Sequence, residues 1–199
     1  MNYISNLEKD SLCELFNISL GAAAKLLSEM VSDEILLTVP TLNLITSEEA
    51  LSLQNLKNRD VCTIDQKFVG GLGDGSAFLL FHKSSSLEIV KMMLKDYIPI
   101  NEVSQFEKDA LSEIGNIILN SILSNLAKIS ELKIETRVPI FFSGKYEEVI
   151  NSNKTQGEDS ILLVFIDYTL KGKDVKGYIF FILEFSSIKN LSNVLLNKM

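Results

Sequence analysis

Apolar residues recur at helical spacing after Ser5, and Glu8 three positions on completes the Ser-x-x-Glu signature of a capping box. On a helix turning about 100° per residue, Asp10, Glu14, Asn17 and Gly21 fall within one narrow arc, with Leu12, Leu15, Ala22, Leu26 and Met30 roughly opposite. The pattern predicts an amphipathic helix with a core face and a polar stripe, closed at Ser32-Asp33. Glu34 to Ile45 alternates in part and is rich in Leu, Ile, Val and Thr, so it predicts a strand. Pro40 within it cannot donate to a ladder and belongs at an edge or a bulge. Residues 46–58 are polar and predict a loop or short helix. Val61–Val69 and Ser76–Phe81 predict two strands joined by a hairpin at Gly70-Gly-Leu-Gly-Asp-Gly75. Ser84–Lys95 predicts a short helix with Leu87, Val90, Met93 and Leu94 as its apolar side.

The same order then returns. A helix over 104–129 carries Leu111, Ile114, Ile118, Ile122 and Ile129 on one face and Asp109, Glu113, Asn116 and Asn120 on the other. A strand at Lys133–Phe142, a loop at 145–159, strands at Ile161–Leu170 and Lys176–Phe185, and a helix from Ser187 follow. Lys171-Gly-Lys-Asp174 separates the last two strands as a solvated turn. The apolar strands are too continuous for a sheet with one wet face.

Residue identities repeat along with the elements. Asp10, Glu14, Asn17 and Pro40 recur as Asp109, Glu113, Asn116 and Pro139, and 109 − 10, 113 − 14, 116 − 17 and 139 − 40 all give 99. Ser5 and Glu8 recur as Ser104 and Glu107 at the same offset, and Gly75–Leu94 aligns with Gly177–Leu196 at 102. Each residue type is roughly one in twenty of an average protein, so chance is a poor explanation. The expected fold is α+β, internally duplicated and pseudo-two-fold, with a central β-sheet and two long helices carrying the polar stripes. Residues 1–199 then form one domain of two fused repeats, about 1–100 and 101–199, with only Tyr97-Ile-Pro-Ile100 joining them.

Composition narrows the partners. A net charge of −7 argues against nucleic acid and against an anionic membrane. The N-terminus lacks a basic and an apolar signal region, and the longest apolar runs are strand-sized, so a soluble cytoplasmic protein without membrane insertion is expected. Cys13 and Cys62 are too few for a disulfide framework or a zinc site and read as packed small residues. The sole histidine, His82, reads as a surface residue at a strand end. Gly70–Gly75 lacks the Gly-Lys-Ser/Thr ending of a phosphate loop and leads into no helix.

Asp, Glu and Asn at i, i+4 and i+7 project side by side over two helical turns. The carboxylate can grip a cation, and the carboxamide can both donate to and accept from water. No strong nucleophile or metal cage accompanies them, so the chemistry open to the set is positioning water on a substrate that brings its own electrophile and metal. A single Glu-x-x-Asn on a helix is most often a solvated face. Retention of the cap, the stripe and the proline in both halves, where most surface positions have diverged, favours function.

The pattern Asp-x3-Glu-x2-Asn-x22-Pro, present twice, resembles that of the CheC/CheX/FliY phosphatases of chemotaxis. Glu113-Ile-Gly-Asn116-Ile-Ile is similar to the family's second site, and Glu14-Leu-Phe-Asn17-Ile-Ser-Leu-Gly21-Ala-Ala to its first. Two sites without an added flagellar-switch domain point to the CheC type. Ser19 and Ala22 depart from the first motif, which often has Gly and Asn there. The resemblance implies hydrolysis of the aspartyl phosphate of the response regulator CheY, with Mg²⁺ held by CheY and no cofactor bound by this chain. It implies that Glu14 and Glu113 bind a CheY lysine and that Asn17 and Asn116 orient the water. Asp10 and Asp109 would support orientation or docking, and Pro40 and Pro139 would shape the strand beneath. Phosphorylated CheY and the receptor deamidase CheD are the implied partners. A non-catalytic adaptor binding CheY or CheD is the alternative.

Overall fold

The computed structural model describes residues 4–71, 73–94, 103–153, 159–170 and 173–198. The side chains of Met93, Leu94 and Ser104, the Tyr97–Ile100 junction and Lys171 lie outside the described residues. The elements are α1 (Asn6–Val31), β1 (Ile35–Ile45), α2 (Ser47–Leu51), β2 (Asp60–Gly70), β3 (Gly75–His82), α3 (Lys83–Leu94), α4 (Val103–Ser130), β4 (Ile134–Thr136), β5 (Ile140–Lys145), α5 (Tyr146–Ser152), β6 (Asp159–Leu170), β7 (Lys173–Glu184) and α6 (Phe185–Lys198).

The strands form one antiparallel sheet in the order β1-β6-β7-β3-β2-β4, with β5 also on β2. Ala77–Phe81 of β3 and Tyr178–Leu183 of β7, at the centre of the sheet, are apolar throughout because both faces are covered. Ala77, Leu79 and Phe81 of β3 join a core under α1, α3, α4 and α6, while Phe78 and Leu80 join a second core under α2 and α5. The expected α+β fold with two long helices over a central sheet is the one observed. The first strand after each long helix pairs across the chain: β1 lies on β6, and β4 and β5 lie on β2.

Each of the two motif prolines, Pro40 and Pro139, interrupts an edge strand. The β1 register shifts between Thr38 and Thr41, around Pro40. On the other edge β4 and β5 are one course of chain broken by Arg137-Val138-Pro139, so the strand expected over 133–142 is two. A residue without an N–H cannot continue a ladder, and both breaks follow from that.

Ser5 forms the expected capping box with Glu8, and Ser32 closes α1 in the left-handed conformation at φ 52°. The core face of α1 is corrected in part. Leu12 and Leu15 are buried with Phe16, Leu20, Ala23 and Leu27, but Ala22 is exposed, and Leu26 and Met30 are 51% and 44% exposed. Leu12 and Met30 lie at one angle five turns apart, yet only Leu12 is buried, so the buried face shifts around α1 along its length and leaves these three outside it at the C-terminal end. The loop expected over 145–159 contains α5, because Tyr146, Val149 and Ile150 at helical spacing fill the second core. Tyr146 donates from its hydroxyl to the Ala50 carbonyl (2.8 Å), tying α5 to α2.

Candidate functional site

On α1, Asp10, Glu14 and Asn17 stand exposed along the outer face. Gly21 continues that face, with nothing within 4 Å of where a Cβ would lie. Side chains of α1 tether β1 at three levels. Ser28 Oγ accepts from Ile35 N–H (2.9 Å), Asn17 Oδ1 accepts from Val39 N–H (3.0 Å), and Lys9 Nζ donates to Asn43 Oδ1 (3.2 Å). The motif asparagine is thus bonded to the residue immediately before Pro40. The bulge exposes a strand N–H toward the helix, which an unbroken ladder would have used.

On α4, Asp109 and Glu113 are exposed, while Asn116 and Asn120 are half-buried. They line a cleft of ≈ 500 Å³ together with Gln66, Ser112, Thr136, Arg137, Val138 and Pro139. Asn116 Oδ1 accepts from Asn120 Nδ2 (2.6 Å), and Asn120 Oδ1 accepts from Gln66 Nε2 (2.8 Å). Gln66 Nε2 also reaches the Arg137 carbonyl (3.4 Å), and Arg137 N–H donates to the Lys67 carbonyl (2.9 Å). Gly115 explains why α4 lies near enough to β2 for these bonds. A Cβ there would come within 2.6 Å of Ile64 Cγ2.

The structure therefore brings Asp10, Glu14 and Asn17 together beside the Pro40 bulge, and Asp109, Glu113, Asn116 and Pro139 together in a cleft. Sequence reasoning missed Gln66 and Arg137. The available signal for Gln66 was a polar residue in a buried strand run. Arg137 carried no signal beyond its place two residues before Pro139.

The two glutamates beneath the motifs are structural. Glu8 is buried, and Lys189 of α6 with the Ser5 backbone and hydroxyl hold its carboxyl down at about 2. Burial alone would raise Glu107, but hydrogen bonds from Lys83, Ser86 and Cys62 outweigh it and hold the carboxyl below its usual range. Burial pushes the Cys62 thiol up, which keeps it protonated as a donor to Glu107 and matches a packed residue rather than a reactive one. His82 is partly exposed at the end of β3 against the Tyr178 ring. No group of three or more metal-ligating side chains occurs among the described residues, and no described helix is long and apolar enough to cross a membrane.

Residues 61–165 match the family model for the chemotaxis phosphatase CheX. That stretch holds Gln66 and the second motif, and takes in just over half of the chain. The chain is 23% identical over 200 residues to the CheY-P phosphatase CheC of Bacillus subtilis, covering 96% of this chain and 94% of that protein. Among solved structures it is similar to Thermotoga maritima FliY, with TM-score 0.76, 18% identity, and 98% and 99% of the two chains covered. It is also similar to CheX in the CheX–CheY–BeF3–Mg complex of Borrelia burgdorferi, with TM-score 0.53, 18% identity, and 86% and 97% covered. The chain belongs to the CheC/CheX/FliY family of chemotaxis phosphatases.

Proposed function

We propose that this protein hydrolyses the aspartyl phosphate of a CheY-type response regulator at two sites. Asn17 and Asn116 orient the attacking water, and Glu14 and Glu113 dock the regulator through a lysine beside its phosphate as a charge-assisted pair. The water oxygen bonds to phosphorus, the bond from phosphorus to the aspartyl oxygen breaks, and the carboxylate leaves. Both protons of the water depart with the phosphate, which leaves as dihydrogen phosphate. Charge at phosphorus is neutralised by Mg²⁺ that the regulator holds, so this chain supplies geometry rather than a metal. Asp10 and Asp109, one turn before each glutamate, add negative charge to the docking face. A substrate of this kind places the protein in the cytoplasm.

One observation carries the reading. In both motifs the carboxamide oxygen already accepts one hydrogen bond, from Val39 N–H or from Asn120, while the rest of the group lies open beside an exposed glutamate. A group held this way loses little freedom when it meets the transition state, which is the requirement for catalysis by positioning. The test is phosphate release from a CheY charged with a small acyl phosphate and Mg²⁺, with and without this protein. Acceleration proportional to protein concentration is expected. Binding to the charged regulator with no acceleration leaves the adaptor reading in its place.

A further inference from the structure

We infer that Gln66 and Asn120 are positioning residues of the second site, fixing which end of the Asn116 carboxamide faces the cleft. The kinetic consequence rests on the phosphatase reading; the geometry does not. A carboxamide can be turned end for end with little change of shape, so its surroundings decide its direction. Here the decision starts at the backbone. The Arg137 carbonyl can only accept, so the end of Gln66 that faces it must be the NH₂ group. The same Nε2 donates to Asn120, which makes the facing atom of Asn120 its oxygen and turns Asn120 Nδ2 toward Asn116. Three amides thus run in one direction from a main-chain carbonyl to the motif asparagine. Asn116 keeps its oxygen inward with one lone pair spare, and its two N–H donors are left for the cleft.

Gln66 carries a cost that points the same way. It is 1% exposed, and its Oε1 is buried without a partner. Reversing the side chain cures nothing, because Oε1 would then face the Arg137 carbonyl and Asn120 Oδ1. An apolar side chain of similar shape would remove the orphaned acceptor altogether. For folding stability the two bonds that Gln66 donates are offset by this orphaned acceptor, so the direction it imposes on Asn120 is the stronger reason for a glutamine here. The first site reaches the same polarity by another route. Val39 N–H can only donate, and it fixes Asn17 Oδ1 inward. Gly21 stands at the position of Asn120, and Val164, which pairs with Ile179 of β7 as Gln66 pairs with Ala77 of β3, is apolar and buried.

The experiment uses full-length protein with the first site silenced by Asn17→Ala. Gln66→Met keeps shape and removes the donor; Asn120→Asp keeps the acceptor for Gln66 and removes the donor to Asn116. Each is expected to lower kcat for phosphate release about tenfold to a hundredfold, with KM within about twofold of the parent. Thermal stability should be unchanged or, for Gln66→Met, raised. The side-chain NH₂ resonances of Asn116, assigned by their loss in Asn116→Ala, should shift in both variants. A kcat within about twofold of the parent, where Asn116→Ala abolishes turnover, overturns the inference and leaves the phosphatase reading standing. If Asn116→Ala changes nothing in this background, the phosphatase reading fails instead. The resonances then decide the positioning alone: unmoved peaks in Gln66→Met overturn it, and shifted peaks sustain it.

Discussion

At one motif position the two long helices differ most. Between glutamate and asparagine, α1 carries Phe16 and α4 carries Gly115. Phe16 is fully buried with its ring 5.5 Å from that of Phe181 on β7, so α1 stands off the sheet by an aromatic side chain. Gly115 lets α4 settle directly on Ile64 of β2. The close helix meets a side chain of the strand below, and Gln66 reaches Asn120. On the raised helix Asn17 takes a backbone N–H from Val39 of the edge strand beside it. One motif on two floors yields the same carboxamide polarity by different anchors. The second floor also yields a cleft, with exposed Arg137 on its wall where the 99-residue offset places Thr38. The comparison predicts two sites of one chemistry and unequal strength, the second being the stronger.

The largest effect should come from removing both asparagines. Asn17→Ala with Asn116→Ala should reduce phosphate release at least about a hundredfold, in the range seen when one positioned transition-state donor is lost. Binding to the charged regulator should persist, since the loss belongs in the rate. The singles apportion the activity, and Asn116→Ala should take the larger share. A larger share for Asn17→Ala breaks the ranking of the sites without touching their chemistry.

Floor height can be attacked next. Phe16→Ala empties the space between α1 and β7 and should cost about 3–5 kcal/mol in denaturant unfolding. Gly115→Ala improves helix propensity but forces α4 off Ile64, so a smaller net loss of about 1–2 kcal/mol is expected. The informative readout is kcat. Gly115→Ala should weaken the second site well beyond what its stability loss explains, because it lengthens the Gln66–Asn120 bond. Unchanged turnover with lowered stability would show that helix height does not matter to the site.

The sequence made the two helices and their shared polar stripe legible because both are local properties: 3.6-residue periodicity, caps, and identities at a constant offset. Pro40 was readable as an edge or bulge residue for a similar reason, since a missing N–H excludes it from any continuous ladder. The cross-chain pairing of β1 with β6 was not readable, because strand partners are chosen by contacts far apart in sequence. Gln66 was hidden for the same reason. Nothing within β2 says that a helix will present to it an amide 54 residues later in the chain. Leu26 and Met30 misled because a single helical wheel assumes one buried face along the whole helix, whereas that of α1 shifts from Leu12 and Leu15 to Leu27 and Val31 along its length.

The buried glutamates under the two motifs extend the comparison to acid. Glu8 has a carboxyl lowered to about 2, so its ion pair with Lys189 contributes stability above the unfolded value near 4.5 and loses it as pH falls toward 2. Glu8→Gln should lower stability at neutral pH by on the order of 2 kcal/mol, through the loss of a charged partner and part of the helix cap. The variant should also unfold with a shallower acid dependence than the parent. An identical acid profile in variant and parent would place the acid-sensitive contact elsewhere, with Glu107 and Lys83 the next pair to change.

The smallest effect concerns the strand that carries Gln66. Asp65, its neighbour, points to the opposite face of the sheet and pairs with Phe78, whereas Leu163 pairs with Phe180 at the 102-residue offset (180 − 78). An ionisable group thus stands in β2 where β6 has a core leucine. Its Oδ1 is buried without a partner, and burial pushes its carboxyl up to about 6. A carboxyl raised above its unfolded value of 3.8 binds its proton more tightly in the folded state, so it destabilises the fold once ionised. That penalty is absent below about pH 4, grows between 4 and 6, and is complete above 6. Asp65→Asn should therefore raise stability at pH 7 by about 1 kcal/mol, allowing for the part of the carboxylate that water still reaches. The gain should vanish at about pH 3, below both the unfolded and the folded value, where the carboxyl is protonated in either state, and turnover at the second site should be unchanged because Asp65 faces away from it. A gain of equal size at both pH values would mean that shape, not charge, distinguishes this position from Leu163. A change in kcat would mean that the two faces of β2 are coupled, and the floor under Asn116 would then include the far side of the sheet.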